Sequence, residues 1–354
     1  MSGGERIGLP VRVLVADDSA FSRVTIARLV EADPRFRVVA AAHSGEEAIR
    51  LVVSLRPDLL TLDLEMPGMD GFSVLRWLAA NHPVPTVVVS SRQGREDVFR
   101  ALDLGAVEFV VKPQARASAE YGRMEAELLE KLRAASMARA VPPPSPAAGP
   151  RATAPPGQAG GLLVVGASTG GPTAISRLLG GLPRLPGPIA IAQHMPAGFT
   201  RLFADRLSRT SAFPVVEAAD GQRIEAGTAY VAPGGEHLEL SGRFPELAAR
   251  VRPRKADDLY APSVDRLFRS AAECAGARAV AVILTGMGAD GRDGMEAVVR
   301  AGGRTIAEDE STAVVFGMPA EAARHGAAEF VLPLPEIAAA VVRLQGEPRA
   351  GPGA

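Results

Sequence analysis

The sequence predicts two α/β domains in series: an N-terminal five-stranded parallel sheet and a C-terminal doubly wound, mostly parallel α/β domain. Three observations predict them. Short, continuously apolar runs alternate with stretches of helical spacing, the pattern of parallel strands covered on both faces. Several of those runs end on an acidic, basic or hydroxyl side chain, where open α/β sheets carry their ligands. One segment, 131–160, is rich in Pro and Ala. It has almost no bulky apolar residue over 141–160, so it cannot support a core and reads as a semi-extended linker. The domains it separates are 11–130 and 161–346, with a helical stretch over 118–138 leading into the linker and a frayed tail after Leu344.

Composition removes several function classes. The formal net charge of −1 over 354 residues gives no global attraction to nucleic acid, and neither a helix-turn-helix pattern nor a basic stripe is present. No apolar run approaches the roughly 20 residues of a spanning helix, so direct membrane insertion is not expected. The first residues lack the apolar region of a signal peptide. Cys274 is the single cysteine and cannot form an internal disulfide, which fits a reducing, cytoplasmic setting. Its Ala-rich helical surroundings predict inert burial.

In the first unit, Val11–Ala16 ends on Asp17 and Asp18, and 19–32 has helical spacing. A short run, 38–42, precedes Ser44-Gly45-Glu46-Glu47, which has capping-box form. Leu59–Leu62 ends on Asp63, 86–91 is β-branched and contains Ser90, and Glu108–Val111 ends on Lys112-Pro113. Each lone strand-end Asp is also a reasonable helix cap. As a set, Asp17, Asp18 and Asp63 would repel one another unless a cation binds. Mg²⁺ suits such oxygen ligands and leaves Asp63 as a phosphoryl acceptor, with Lys112 and Ser90 to hold the phosphoryl oxygens.

Residues 11–125 resemble the response-regulator receiver family. The likeness rests on Asp17-Asp18, Asp63-Leu64-Glu65-Met66-Pro67-Gly68-Met69-Asp70-Gly71, Ser90 and Lys112-Pro113. It implies a flavodoxin-like strand order of 2-1-3-4-5, phosphorylation of Asp63 by a partner histidine kinase, and Phe109 as a switch aromatic. A buried core Phe accounts for Phe109 equally well.

After the linker, a short apolar run, 162–165, leads into Gly166-Ala167-Ser168-Thr169-Gly170-Gly171-Pro172 and then a helical stretch over 173–179. Gly166-x-Ser168-x-Gly170 between strand and helix is the setting of a nucleophile elbow. A phosphate-binding glycine turn and a plain turn fit the same pattern. His194 follows the apolar run 188–192, so it stands at a strand end like Ser168 and is the candidate base. His237 lies in an alternating segment and reads as a surface strand residue, while His325 reads as a helix C-terminus. Asp290 sits in a glycine-rich loop after the strongly apolar run 279–284. It is the candidate third member, with Asp293 reading as a helix N-cap. The order Ser, His, Asp differs from that of α/β-hydrolases, so convergent chemistry on another fold is expected.

Residues 160–345 closely resemble the methylesterase catalytic domain of the chemotaxis protein-glutamate methylesterase family. The matching text includes Val165–Gly171, Gln193–Thr200, Tyr230–Gly234, Arg252-Pro253, Ala261–Asp265, Ile283–Gly288 and Val315–Pro319, with Ala289 as a departure from the pattern. The resemblance implies hydrolysis of glutamyl methyl esters on methyl-accepting chemoreceptors, with methanol released, and deamidation of receptor glutamines. Backbone N–H groups near Met287, helped by Thr169, are expected to hold the oxyanion. No metal is expected in this half. The linker is expected to let the receiver cover the catalytic mouth until Asp63 is phosphorylated.

Overall fold

The computed structural model describes residues 9–91, 95–113, 118–138 and 160–346; most of the expected linker lies outside the described residues. Two compact units divide the chain near residue 144.

In the first unit, β1 (Val11–Ala16), β2 (Phe36–Ala42), β3 (Leu59–Leu62), β4 (Thr86–Ser90) and β5 (Glu108–Val111) alternate with α1 (Ala20–Glu31), α2 (Gly45–Leu55), α3 (Gly71–Asn81), α4 (Arg95–Asp103) and α5 (Ser118–Ser136). The strands form one parallel sheet in the order β2-β1-β3-β4-β5. Val13, Leu14 and Val15 on β1 and all of β3 are buried, as a central strand roofed by helices requires. Helix starts are marked in the sequence: Ser19, Ser44 and Asp70 each accept a backbone N–H of the first turn. The Ser44 capping box closes differently from the ideal. Ser44 Oγ takes the Glu47 N–H, but the Glu47 carboxylate accepts from His43 N at 2.8 Å rather than from the cap itself. The domain edge drawn at 130 falls inside α5, which continues to Ser136 because Leu128, Leu132 and Ala135 keep a buried face.

The second unit is built on a seven-stranded sheet that is parallel throughout, in the order β15-β14-β13-β6-β7-β10-β8. Its strands are β6 (Leu162–Ala167), β7 (Ile189–Gln193), β8 (Val215–Glu217), β10 (Ala229–Val231), β13 (Ala279–Ile283), β14 (Arg304–Glu308) and β15 (Phe330–Leu332). A three-stranded antiparallel sheet of β9 (Arg223–Ile224), β11 (Glu236–Arg243) and β12 (Glu246–Pro253) is inserted before α8 (Val264–Ala275). The remaining helices are α6 (Gly171–Gly181), α7 (Thr200–Thr210), α9 (Arg292–Arg300), α10 (Met318–Arg324) and α11 (Leu334–Gly346). Cys274 is buried on α8, as expected. The chain starts at the centre with β6, steps to β7 on one side and returns to β13 on the other. That reversal is a topological switch point, and it opens a crevice at the carboxyl ends of β6, β7 and β13.

Candidate active site

Ser168, His194 and Asp290 each follow one of those three strands. Ala167 pairs with Gln193 across β6 and β7, so the next residues on each strand stand side by side. His194 N donates to Ala167 O at 3.1 Å, and Ser168 N donates to Thr285 O at 3.0 Å, drawing the loop after β13 over the serine. The buried Gln193 side chain donates to the carbonyls of both Ser168 and His194, at 2.9 and 3.0 Å. Gly286 lies so close that a Cβ there would sit 2.7 Å from Ser168 Cβ. Gly170 adopts a φ of 75° at the N-cap of α6, which only glycine does at little cost. A Cβ at Gly170 would meet Val314, and one at Gly171 would meet Gln193. Those side chains pack on the start of α6, which favours the nucleophile turn over a phosphate loop.

Asp290 is the anchor of the group. Its Oδ2 is 2.8 Å from His194 Nε2 and accepts Val264 N at 2.8 Å. Its Oδ1 accepts Asp265 N at 2.9 Å and Ser263 Oγ at 3.1 Å. The carboxylate thus sits on the N-terminus of α8, where unpaired N–H groups and the helix dipole favour an anion. Burial alone would raise its pKa. His194, by hydrogen bond and charge, outweighs burial together with the Asp265 and Val264 N–H groups, and holds Asp290 below the usual carboxylate range. A carboxylate accepts only, so His194 holds a proton on Nε2 toward Asp290, and in the neutral ring the lone pair is on Nδ1. Nδ1 is buried and makes no hydrogen bond among the described residues. Tyr260 stacks on the imidazole at 4.4 Å and 7°, restraining the ring plane.

Asp265 returns the favour to α9: its Oδ1 accepts Gly291 N at 2.9 Å and Gly294 N at 2.7 Å. The expected N-cap role of Asp293 is therefore corrected. Gly291 is the N-cap, the carboxylate comes from α8, and Asp293 instead pairs with Arg269 and Arg292 on the surface. The surface reading of His237 is corrected too. Its side chain is 0% exposed, because the loop between β12 and α8 folds over the face of β11 that alternation would leave to solvent. His325 ends α10 as the sequence suggests.

The oxyanion candidates are placed by the same loop. Thr285 Oγ1 donates to Thr169 O at 2.9 Å, and Gly286 is bonded to Val315, Gly317 and Met318, which fixes the backbone leading to Met287. Behind them lies Glu308, fully buried at the end of β14. Its carboxylate accepts Thr285 N at 2.8 Å and Thr312 Oγ1 at 3.0 Å. Burial pushes its pKa up to about 7, against the Thr285 hydrogen bond. Gln193, Tyr260, Ser263 and Glu308 were not singled out from the sequence. Only Ser263, as a Ser just ahead of an apolar helical run, carried a local signal, that of an N-cap.

In the first unit, buried Asp17 and Asp63 and exposed Asp18 each offer one carboxylate oxygen, all within 4.8 Å of one another. Lys112 Nζ reaches Asp17 Oδ2 at 2.8 Å and also pairs closely with Asp63. Burial, with Asp17 alongside, raises the Asp63 pKa against the pull of Lys112. Burial opposes the Lys112 charge, but Asp63 and Asp17 hold its pKa above the usual lysine value. Ser90 Oγ is buried at the end of β4, with no hydrogen bond among the described residues. Phe109 is buried on β5 beneath the Lys131 ammonium, 4.4 Å from its ring centroid.

A receiver-type sheet with an acidic pocket, followed by a parallel α/β unit with a Ser–His–Asp crevice, defines a response regulator whose output domain is hydrolytic. The chain belongs to the CheB methylesterase family: residues 163–341 match that family's model, and residues 13–119 match the response regulator receiver domain. It is 48% identical to protein-glutamate methylesterase/protein-glutamine glutaminase 1 of Myxococcus xanthus, over 94% of this chain and 97% of that protein. It is 49% identical to protein-glutamate methylesterase/protein-glutamine glutaminase 6 of Anaeromyxobacter dehalogenans, over 96% and 97%. The crystal structure of the Thermotoga maritima CheB methylesterase catalytic domain superposes with a TM-score of 0.51 at 41% identity, covering 52% of this chain and 99% of that one.

The Glu308 environment gives a pH signature. Its pKa in the folded chain lies above the ordinary carboxyl value of 4.5, so its stabilising contribution is full below about pH 4.5 and is lost as pH rises through about 7. Roughly 3 kcal/mol is at stake for a shift of that size. Glu308→Gln is expected to flatten the fall in melting temperature of the second unit between those pH values. A melting series in which both proteins trace parallel curves counts against this assignment.

Proposed function

We infer that this chain hydrolyses glutamyl methyl esters on chemoreceptors, releases receptor glutamates by deamidating glutamines, and is switched on when a histidine kinase phosphorylates Asp63. We place this activity in the cytoplasm; among the described residues no helix is long and apolar enough to cross a membrane. The observation that carries the hydrolytic reading is His194, whose Nε2 is bound by Asp290 while Nδ1 is left as the base at the Ser168 strand end.

His194 Nδ1 takes the Ser168 hydroxyl proton as Oγ attacks the ester carbonyl. The tetrahedral oxyanion is met by backbone N–H groups near Met287, with Thr169 beside them. Collapse breaks the bond to methoxide, which leaves as methanol with the proton from His194. Water, deprotonated by the same nitrogen, then attacks the acyl-serine, and glutamate and free Ser168 are regenerated. With a glutamine side chain the leaving group is ammonia. Asp290 stays ionised throughout, orienting the ring and stabilising the imidazolium.

In the receiver, the donor set of Asp17, Asp18 and Asp63 offers the hard carboxylate oxygens that suit Mg²⁺, which keeps several waters beside them. When bound, the ion offsets the charge of the carboxylates and the incoming phosphoryl group. Asp63 Oδ is the acceptor, Lys112 pairs with the new charge, and Ser90 Oγ donates to a phosphoryl oxygen. We assign Phe109, buried on β5, as the aromatic that follows that change.

Ser168→Ala is expected to cut methanol release from methylated receptor by roughly 10⁴-fold or more, with the fold retained. Asp290→Asn should lose about 10³–10⁴-fold, because an amide NH₂ facing Nε2 reverses the His194 tautomer. Turnover within tenfold of wild type in either variant contradicts the triad. Asp63→Asn should take up no acid-labile phosphate from a small acyl phosphate while keeping basal hydrolysis; normal labelling of that variant would place the acceptor elsewhere. Residues 160–354 alone should turn over receptor esters faster than the unphosphorylated full chain. An equal or lower rate from a fragment folded by circular dichroism rules out restraint by the receiver.

A further inference from the structure

A second carboxylate–imidazole pair lies directly behind the triad. His237, at the start of β11, is completely buried, with Nε2 2.9 Å from Asp258 Oδ2. Its Nδ1 accepts the backbone N–H of Ser263 at 3.2 Å. That contact fixes the ring chemistry. A nitrogen that accepts from an N–H bears no proton, so His237 is neutral at Nδ1 and donates from Nε2 to the carboxylate. Asp258 is well suited to enforce this tautomer. It also accepts Lys255 N at 2.7 Å and the Arg266 guanidinium at 2.8 Å, and the Arg266 side chain is shared with Glu239 at 3.6 Å. The Lys255 N–H, followed by His237, holds the Asp258 carboxyl down to about 2, so it stays an acceptor.

Ser263 is where the two pairs meet. It is the N-cap of α8, its Oγ accepting Arg266 N, and the same Oγ donates to Asp290 Oδ1 at 3.1 Å. The next two backbone N–H groups, of Val264 and Asp265, complete the Asp290 cradle. Asp290 in turn holds His194. One continuous chain of hydrogen bonds therefore runs from Asp258 through His237, Ser263 and Asp290 to the proposed catalytic imidazole. The loop tied down by Asp258 also carries Tyr260, which stacks on that imidazole from the side.

We propose that His237, held as its Nε2–H tautomer by Asp258, is a positioning residue for the esterase triad: its Nδ1 fixes Ser263 and the start of α8, and through them the Asp290 carboxylate against His194. The proposal rests on the triad reading. It assigns His237 no contact with substrate, so its effect falls on kcat rather than KM. Rotational freedom of the orienting carboxylate is what its loss would introduce.

Three substitutions separate positioning from packing. Asn places an amide oxygen near the Nδ1 position and can still accept from Ser263, but it cannot reach Asp258. Gln reaches Asp258 but offers nothing at the Nδ1 position. Phe fills the space and makes neither bond. The assay is methanol release by the full-length chain, activated with a small acyl phosphate, on methylated receptor, with melting temperatures measured in parallel. His237→Asn is expected to keep kcat within about threefold of wild type, while His237→Gln and His237→Phe fall about tenfold or more at unchanged KM. A packing role gives the opposite order, since Phe fills the site best and Asn leaves the largest void. Ring ¹⁵N shifts of the wild type should show His237 protonated at Nε2. The proposal is overturned if Gln or Phe variants match the Asn variant, if all three retain wild-type kcat, or if the ring proton is on Nδ1. Ser168→Ala is the separate control: activity surviving there defeats the triad itself, whatever the His237 series shows.

Discussion

The seat of the Asp290 carboxylate on the N-terminus of α8 is the interaction on which the catalytic unit depends. A buried carboxylate is costly unless its lone pairs are met by donors. Here two backbone N–H groups, a serine hydroxyl and the His194 ring meet them. The arrangement is reciprocal, because Asp265 at the start of α8 closes the start of α9. Two helix N-termini that would each leave open donors are thus cross-capped by acids from one another's neighbourhood. Asp265 pays part of this in its own titration: burial raises its pKa despite the Gly294 N–H. The rigidity of that junction holds a loop carboxylate in a defined direction against His194, as the proposed triad requires.

The receiver solves a related problem with the opposite outcome. Asp17 and Asp63 are also buried carboxylates at strand ends, but few donors surround them. Ser19 N serves Asp17 and Glu65 N serves Asp63, and Lys112 bridges the two. A pocket left short of positive charge favours the binding of a cation. Asp290, by contrast, is already saturated with donors and is held in one state. The same residue type is therefore a donor-saturated strut in one domain and a donor-poor carboxylate in the other.

Much of this was legible because parallel strands announce their ends. Val11–Ala16, Leu59–Leu62 and the apolar run before Ser168 stop abruptly at polar residues, so Asp17, Asp63, Ser168, His194 and Asp290 could be placed without knowing what packs beside them. The strand order of the first sheet came from resemblance, and β2-β1-β3-β4-β5 is what is observed. His237 was misplaced because alternation along Glu236–Arg243 describes only that strand and its sheet. It carries no information about a loop, anchored through Asp258, that covers the outer face. Tyr260 and Glu308 escaped for the same reason. Their roles arise from contacts with residues far away in sequence, His194 and Thr285; Glu308 does end an apolar strand, but that pattern names no partner for it.

The topology of the second sheet has a consequence for how the enzyme comes into being. β6 is central, yet one of its two neighbours, β13, is separated from it by α6, α7, the antiparallel insertion and α8. On a ribosome, the serine turn emerges long before the strand that must lie against it, and Asp290 emerges later still. Long-range parallel pairing forms slowly, after most of the chain is available. A nascent or nicked chain accordingly holds Ser168 and His194 without the acid that orients them. Assembly of the Ser168–His194–Asp290 group thus waits on the late strand β13 and the loop after it, and a chain cut before Asp290 leaves His194 without its carboxylate partner.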